Sequence, residues 1–188
     1  MYKYLSQLSP IIRQNPRQAD SIANSFSATQ LKSKQWLIEE LFKLVNGPDL
    51  KILILGGWYG TLLVPMLKDK KISNIILTDI DPIAVRIAKR IHLCETHIID
   101  AENPSHQFNV DVVINTSCEH MMTIGDRAVS NTGCLYVLQS CDNDNDPGHI
   151  NTSMSTDDFV QKTKLSKILF KGRMDLGHKN RFMVIGYL

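Results

Sequence analysis

The run Lys51–Leu55 leads directly into Gly56, Gly57, Trp58, Tyr59 and Gly60, and then into Thr61–Lys70, where apolar residues recur at helical spacing. Glycines at such a turn let a ligand approach the main chain, and the first turn of the following helix offers unpaired amide donors. A second apolar run, Asn74–Thr78, ends on Asp79, 23 residues after Gly56. An acid in that place can accept both hydroxyl protons of a ribose. Ile80, the next residue, is suited to pack on the face of a base. A third run ends in Ile99, Asp100, Ala101 and Glu102, which brings Asp100 toward the same crevice, where its carboxylate can accept from an exocyclic amine. The combination predicts a nucleotide site at the ends of successive strands.

A second group of residues follows the fourth run, Val110–Asn115, as Thr116, Ser117, Cys118, Glu119 and His120. In open α/β sheets the reactive centre lies beyond the carboxyl ends of the central strands. Asn115, Glu119 and His120 are therefore the catalytic candidates, with Glu119 and His120 able to act as a general base, orient an acceptor or bind an ammonium group. The plainer alternative is that Asn115 and Ser117 satisfy loop amides while Glu119 caps the next helix. Cys118 reads as a small buried residue rather than a nucleophile.

The fifth run, Cys134–Gln139, opens into a polar loop in which Gln139, His149 and Asn151 are the expected substrate-facing residues. Asp142, Asp144 and Asp146 alternate as in a calcium loop, but Gly148 falls one place late and Ser153 stands at the twelfth position. No metal centre is expected.

These residues need a scaffold that alternates strands and helices. From Leu50 onward short apolar runs are separated by helical or polar stretches, including Pro82–Ile91, which is the pattern of a mostly parallel sheet. Runs at Lys167–Phe170 and Arg181–Leu188 lie too close for a helical crossover, so an antiparallel hairpin should close the sheet. Before the core, Leu31, Trp36, Leu37, Leu41, Phe42 and Val45 mark an amphipathic helix over Ser27–Val45, ended by Asn46, Gly47 and Pro48. A shorter helix is expected over Arg17–Phe26. Gln30, Ser33 and Lys34 lie near one edge of the longer helix, where they could form part of a lid. The organisation is a single domain, 1–188, with residues 1–48 as a helical extension and 49–188 as the core.

The chain of 188 residues is 43% hydrophobic, enough for one proper core, and its 21 basic and 19 acidic residues leave a net charge of only +2. That balance does not imply a polyanionic partner. The C-terminal basic group of Lys162, Lys164, Lys167, Lys171, Arg173, Lys179 and Arg181 reads as a solvated face. Cys94, Cys118, Cys134 and Cys141 form no CxxC pair. With no apolar run long enough to span a bilayer, a reduced, cytoplasmic protein is expected, without a membrane partner and with no indication of its oligomeric state.

Leu53–Gly60, Leu77–Asp81, Ile98–Glu102 and Val112–Asn115 resemble successive motifs of the class I S-adenosylmethionine-dependent methyltransferases. The resemblance covers residues 50–188 and extends to small methyltransferase-like proteins of bacteria and their phages. It implies a Rossmann-like sandwich with a mostly parallel seven-stranded sheet and S-adenosylmethionine as cofactor. Gly56, Gly57 and Gly60 would approach the methionine part, Trp58 could cover it, Asp79 would hold the ribose, Ile80, Asp100 and Ala101 would meet adenine, and Asn115 would border the cofactor. The implied activity is methyl transfer to an unidentified acceptor, a small molecule or a nucleic acid. The bulky Trp58 and Tyr59 depart from the usual glycine-rich loop, and Asn115-Thr116-Ser117-Cys118 lacks the proline pair of many amino-group nucleic-acid methyltransferases. Aminopropyl or aminocarboxypropyl transfer, a non-catalytic cofactor-binding module and a nicotinamide-dependent oxidoreductase are the alternatives.

Overall fold

The structure, a computed structural model, describes residues 2–105, 107–122, 130 and 133–188. Three helices come first: α1 (Tyr2–Gln14), α2 (Ala19–Asn24), entered through a 3-10 turn at Pro16–Gln18, and α3 (Ala28–Leu44). The core then runs β1 (Lys51–Leu55), α4 (Leu63–Asp69), β2 (Asn74–Asp79), α5 (Pro82–Ile91), β3 (Glu95–Ile98), β4 (Val112–Asn115) and β5 (Leu135–Cys141). It closes with α6 (Thr156–Thr163), β6 (Lys167–Asp175) and β7 (Asn180–Tyr187).

The seven strands lie in the order β3-β2-β1-β4-β5-β7-β6. The first five run parallel, with Ile52 of β1 opposite Ile75 on one side and Val112 on the other. β7 inserts antiparallel between β5 and β6, pairing Leu138 with Val184, and the β6–β7 pair is the hairpin that the short spacing requires. A nicotinamide-binding sheet of the common order 3-2-1-4-5-6 has no such inserted strand.

Period-two alternation sorts the central strands onto two layers. Ile52 and Ile54 face the layer that contains Leu37, Leu41, Val64 and Leu67 of α3 and α4, whereas Leu53 and Leu55 face Phe159 of α6. Full burial of each such aliphatic side chain contributes about 1.5–3 kcal/mol. A third cluster joins Leu8, Ile11 and Ile22 of α1 and α2 to Tyr59 and to Ala84, Ile87 and Ile91 of α5. The N-terminal helices are thus packed onto the core beside the glycine-rich turn.

Sequence periodicity places most elements within a few residues of their observed bounds, with three differences. The segment before Asn15 is helix α1, its interior Pro10 notwithstanding. Strand β5 continues through Cys141 because its last residues pair with Arg181 and Phe182 of β7. Strand β6 extends to Asp175 for the same reason, its alternating burial matching β7 beyond a bulge near Leu169.

Candidate active site

The carboxyl ends of β1, β2, β3 and β4 open on a cleft of about 720 Å³ that is also bordered by α3 and the start of β7. In the middle of it the chain leaves β1 through Gly56, held at φ +55, and Trp58, at φ +50. The turn is tied to β2 by the Gly57 amide donating to the Thr78 carbonyl (2.8 Å). The Trp58 amide donates to Asp79 Oδ2 (2.7 Å) and the Asp81 amide to Asp79 Oδ1 (3.0 Å). Each carboxylate oxygen has a further lone pair, so the two amides aim the group without exhausting it. Asp81 itself caps α5, accepting from the Ile83 amide at 2.7 Å.

The glycines divide by what surrounds them. A Cβ at Gly56 would stand 3.3 Å from Ser117 and Met121, against the loop after β4. At Gly57 it would meet Leu77 Cγ at 2.9 Å, and at Gly60 it would meet Leu77 Cδ1 at 2.4 Å, so these two are small because the core lies against them. Tyr59 borders the cleft but is buried, and its hydroxyl lies 3.0 Å from Ser21 Oγ on α2. Trp58 stacks on Tyr59 with ring centroids 5.0 Å apart and also lines the cleft. Behind the turn, His92 holds the Tyr59 carbonyl at 3.0 Å through Nε2. Burial pushes that imidazole down to about 4, the carbonyl contacts offsetting only part of the effect.

Further along, Ile80, 65% exposed, presents an apolar surface beside Ile99, Asp100 and Ala101. Asp100 is held by an Asx turn in which Oδ1 accepts from the Glu102 amide at 2.9 Å, while Oδ2 accepts from Asn103 Nδ2 at 3.1 Å. The cleft therefore offers, in order, a glycine turn, an oriented carboxylate and an apolar shelf with a second carboxylate.

On the other side of the glycine turn stands the loop after β4. Asn115 is buried and supports this loop, accepting from the Ser117 amide (2.9 Å) and approaching Met121 Sδ with its amide nitrogen (3.1 Å); it does not line the cleft. Ser117 donates to the Gly56 carbonyl at 3.1 Å, which locks the loop to the glycine turn. Residues Cys118–His120 form a 3-10 turn, and the Cys118 thiol is enclosed and pushed up by burial, unlike an activated nucleophile.

Glu119 lines the cleft, yet it is only 4% exposed, and its Oε1 accepts from Arg181 Nη1 at 2.6 Å. Burial alone pushes the Glu119 carboxyl up, but the charge and hydrogen bond of Arg181 outweigh it and hold the carboxyl below the usual range. Arg181, which the sequence groups with the solvated basic face, is itself 5% exposed and also donates to the Thr116 carbonyl. Only its pairing with β5 across the sheet takes it inside.

His120 is exposed at the cleft, its Nδ1 2.8 Å from the Gly148 carbonyl and its ring edge-on to His149 at 4.6 Å. Contact with a carbonyl requires Nδ1–H, which leaves Nε2 as the proton-accepting nitrogen of the neutral ring. His149 also lines the cleft, with its Nδ1 against the Asn143 carbonyl.

The other two expected substrate contacts lie elsewhere. Gln139 is fully buried and binds α3 to β5, its Oε1 accepting from Ser33 Oγ at 3.0 Å and its Nε2 donating to the Ser33 carbonyl at 3.2 Å. Its place at a strand end suggested the cleft, but β5 continues two residues further and the side chain faces the helix layer. Asn151 donates to the Met121 carbonyl at 3.0 Å and so braces the Glu119–His120 loop rather than bordering the cleft. Ser33, with Gln139, fastens the helix whose other edge residues, Gln30 and Lys34, line the cleft.

The alternating acids are held separately. Asp142 accepts from the amide and side chain of Asn180 (2.8 and 2.6 Å), and Asp146 accepts from the Gly148 amide (3.0 Å). Among the described residues, Glu119, Cys141 and His149 bring three possible metal-ligand atoms within 4.8 Å of one another. The Glu119 charge is already matched by Arg181, and burial pushes the Cys141 thiol up, so this group favours an ion pair over a cation.

No protein-family model matches the chain. A polyamine aminopropyltransferase of Sulfurisphaera tokodaii is 39% identical over 75 residues, which is 40% of this chain and 24% of that enzyme, so the match spans about a quarter of the curated relative. Among solved structures, magnesium protoporphyrin IX methyltransferase of Synechocystis PCC 6803 with bound S-adenosylhomocysteine is similar at a TM-score of 0.61 and 12% identity, covering 84% of this chain and 82% of that one. Geranyl diphosphate methyltransferase in complex with S-adenosylmethionine gives 0.62 at 9% identity, covering 84% and 85%. The 4+2 cyclase SpnF gives 0.64 at 12% identity, covering 84% and 81%. The chain therefore has the Rossmann-like fold of class I S-adenosylmethionine-dependent methyltransferases. Because a cyclase has a similar fold, the chemistry has to be argued from the site.

Proposed function

We propose that the chain binds S-adenosylmethionine in this cleft and transfers its methyl group to an acceptor held beside Glu119, His120 and His149. The observation that carries the reading is the arrangement along one cleft, in strand order, of Asp100 with the Ile80 shelf, the Asp79 carboxylate, the Gly56 turn and the Thr116–His120 loop. Asp79, aimed by the Trp58 and Asp81 amides, accepts from the ribose hydroxyls. Ile80, Ile99 and Ala101 take the base, and Asp100 accepts from its amine. The bound cofactor supplies an electrophilic methyl on a sulfonium, so the protein's work is alignment and, where the acceptor needs it, proton removal. His120, with Nδ1–H fixed by Gly148, offers Nε2 for that proton. The Glu119–Arg181 pair holds the loop that presents it.

Calorimetry with S-adenosylhomocysteine on the wild type and on Asp79→Ala tests the assignment. Loss of the charged hydrogen bonds should weaken binding by about 10- to 150-fold. Equal affinity in a folded Asp79→Ala protein would place the ribose elsewhere.

The segment similar to an aminopropyltransferase favours a second reading, aminopropyl transfer. At the end of the cleft beyond the loop after β4, Lys34 and Lys179 stand beside the mutually matched Glu119–Arg181 pair, which disfavours a polyamine acceptor there. The released product separates the two: S-adenosylhomocysteine for methyl transfer, methylthioadenosine for aminopropyl transfer.

A further inference from the structure

Three cations from different parts of the chain converge on the cleft: Lys34 from α3, Lys179 from the turn before β7, and Arg181 from β7. Two acids share that region. Glu119 is already paired with Arg181 at 2.6 Å, and Asp146, on the exposed loop after β5, accepts from the Gly148 amide and lies 3.8 Å from His149 Nε2. Among the described residues, half-buried Lys34 makes no ion pair or hydrogen bond through its ammonium, the nearest acidic influence being Glu119, which is already paired with Arg181. Burial, together with the charges of Arg181 and Lys179, pushes its ammonium down to about 7 against the opposing pull of Glu119. Arg181 Nε and Glu119 Oε2 are both buried without a partner, so the pair leaves one N–H and one carboxylate oxygen unused. A buried donor left unused and a half-buried cation held in no ion pair are both unfavourable until a ligand supplies the missing group.

We propose that Lys34, Lys179 and Arg181 form an anion-binding subsite, so that the methyl acceptor carries a carboxylate or a phosphate. The proposal rests on the methyl-transfer reading for the identity of the ligand as acceptor, while the subsite itself rests on the geometry. An anion there would complete the charge pattern of the cleft, whose other end presents the carboxylates of Asp79 and Asp100. The cleft of about 720 Å³ lies within the roughly 300–1,000 Å³ typical of ligand sites. The anion also orients the acceptor, which matters for a transfer that depends on alignment.

The test is calorimetry of benzoate, phenyl phosphate and the neutral benzamide against protein saturated with S-adenosylhomocysteine, at about pH 6.5 so that Lys34 is charged. At least one anion should bind more tightly than benzamide by roughly tenfold or more, and Lys34→Met or Lys179→Met should remove most of that preference. Preference for benzoate over phenyl phosphate assigns a carboxylate, and the reverse assigns a phosphate. No preference for either anion, or a preference that both variants retain, overturns the proposal. The cationic cluster could instead serve the cofactor's own carboxylate. In that case Lys34→Met would weaken S-adenosylhomocysteine but not methylthioadenosine, which lacks that group, and the proposal would also fall. If S-adenosylhomocysteine does not bind at all, the methyl-transfer reading fails, and the same anions titrated into the free protein still decide the subsite.

Discussion

Replacing Glu119 by glutamine removes the negative member of a pair whose residues are 4% and 5% exposed and whose bond measures 2.6 Å. Glutamine keeps an acceptor but leaves the Arg181 charge uncompensated, and Arg181 also holds the Thr116 carbonyl, so the loop after β4 loses its tie to β7. Removing one partner of a buried pair costs about 3–5 kcal/mol. The cleft lets water approach this pair, which favours the lower figure of about 3 kcal/mol. For a domain of this size each kcal/mol is about 2–4 °C, so Tm should fall by about 6–12 °C at pH 7. The folded pKa of Glu119 is depressed, so its contribution is fully present above the unfolded value of about 4.3 and is lost as pH falls through the folded value. The gap between wild type and Glu119→Gln should therefore close in acid. Circular dichroism melts at pH 7 and pH 3, with Glu119→Leu/Arg181→Met as the apolar replacement, provide the measurement. A fall of less than about 2 °C at pH 7, or a gap of equal size at pH 3, would refute the reasoning. Any loss of turnover in Glu119→Gln then reports on proton transfer only at temperatures where the variant is folded.

Gly57→Ala should lower stability by about 1–3 kcal/mol, because its Cβ would stand 2.9 Å from Leu77. Gly56→Ala, at φ +55, should lose about 1–2 kcal/mol to backbone strain and in addition weaken S-adenosylhomocysteine binding, because its Cβ faces Ser117 and Met121 in the cleft; urea melts and calorimetry on both variants separate the two effects. His120→Asn should leave the cofactor dissociation constant within about twofold while lowering kcat/KM, once an acceptor is available; equal losses in both would remove His120 from the chemistry. His92 is buried with its pKa pushed down to about 4, so the folded state binds fewer protons than the unfolded one and stability is full above about 6.5 and lost as pH falls toward about 4. In His92→Gln the urea-unfolding free energy should vary less with pH across that window.

The proposed cofactor end is legible in the sequence because its signals are local. Glycines that turn a strand into a helix and an acid at the end of the next strand have their meaning set by neighbours along the chain, and parallel pairing of β1 with β2 then brings the two together. Period-two and helical spacing likewise marked nearly every core element, and the short gap before the last strand required a hairpin. The acceptor end could not be read in this way, since its charges come from α3, the loop after β4 and the start of β7, which meet only when the sheet forms. Gln139 looked like a site residue from its position at a strand end, until extended pairing with β7 turned it toward Ser33. Arg181 looked like one more surface cation among many. Its burial, and with it the pairing of Glu119, was decided by the antiparallel insertion of β7 beside β5, a contact between distant segments that no local pattern encodes.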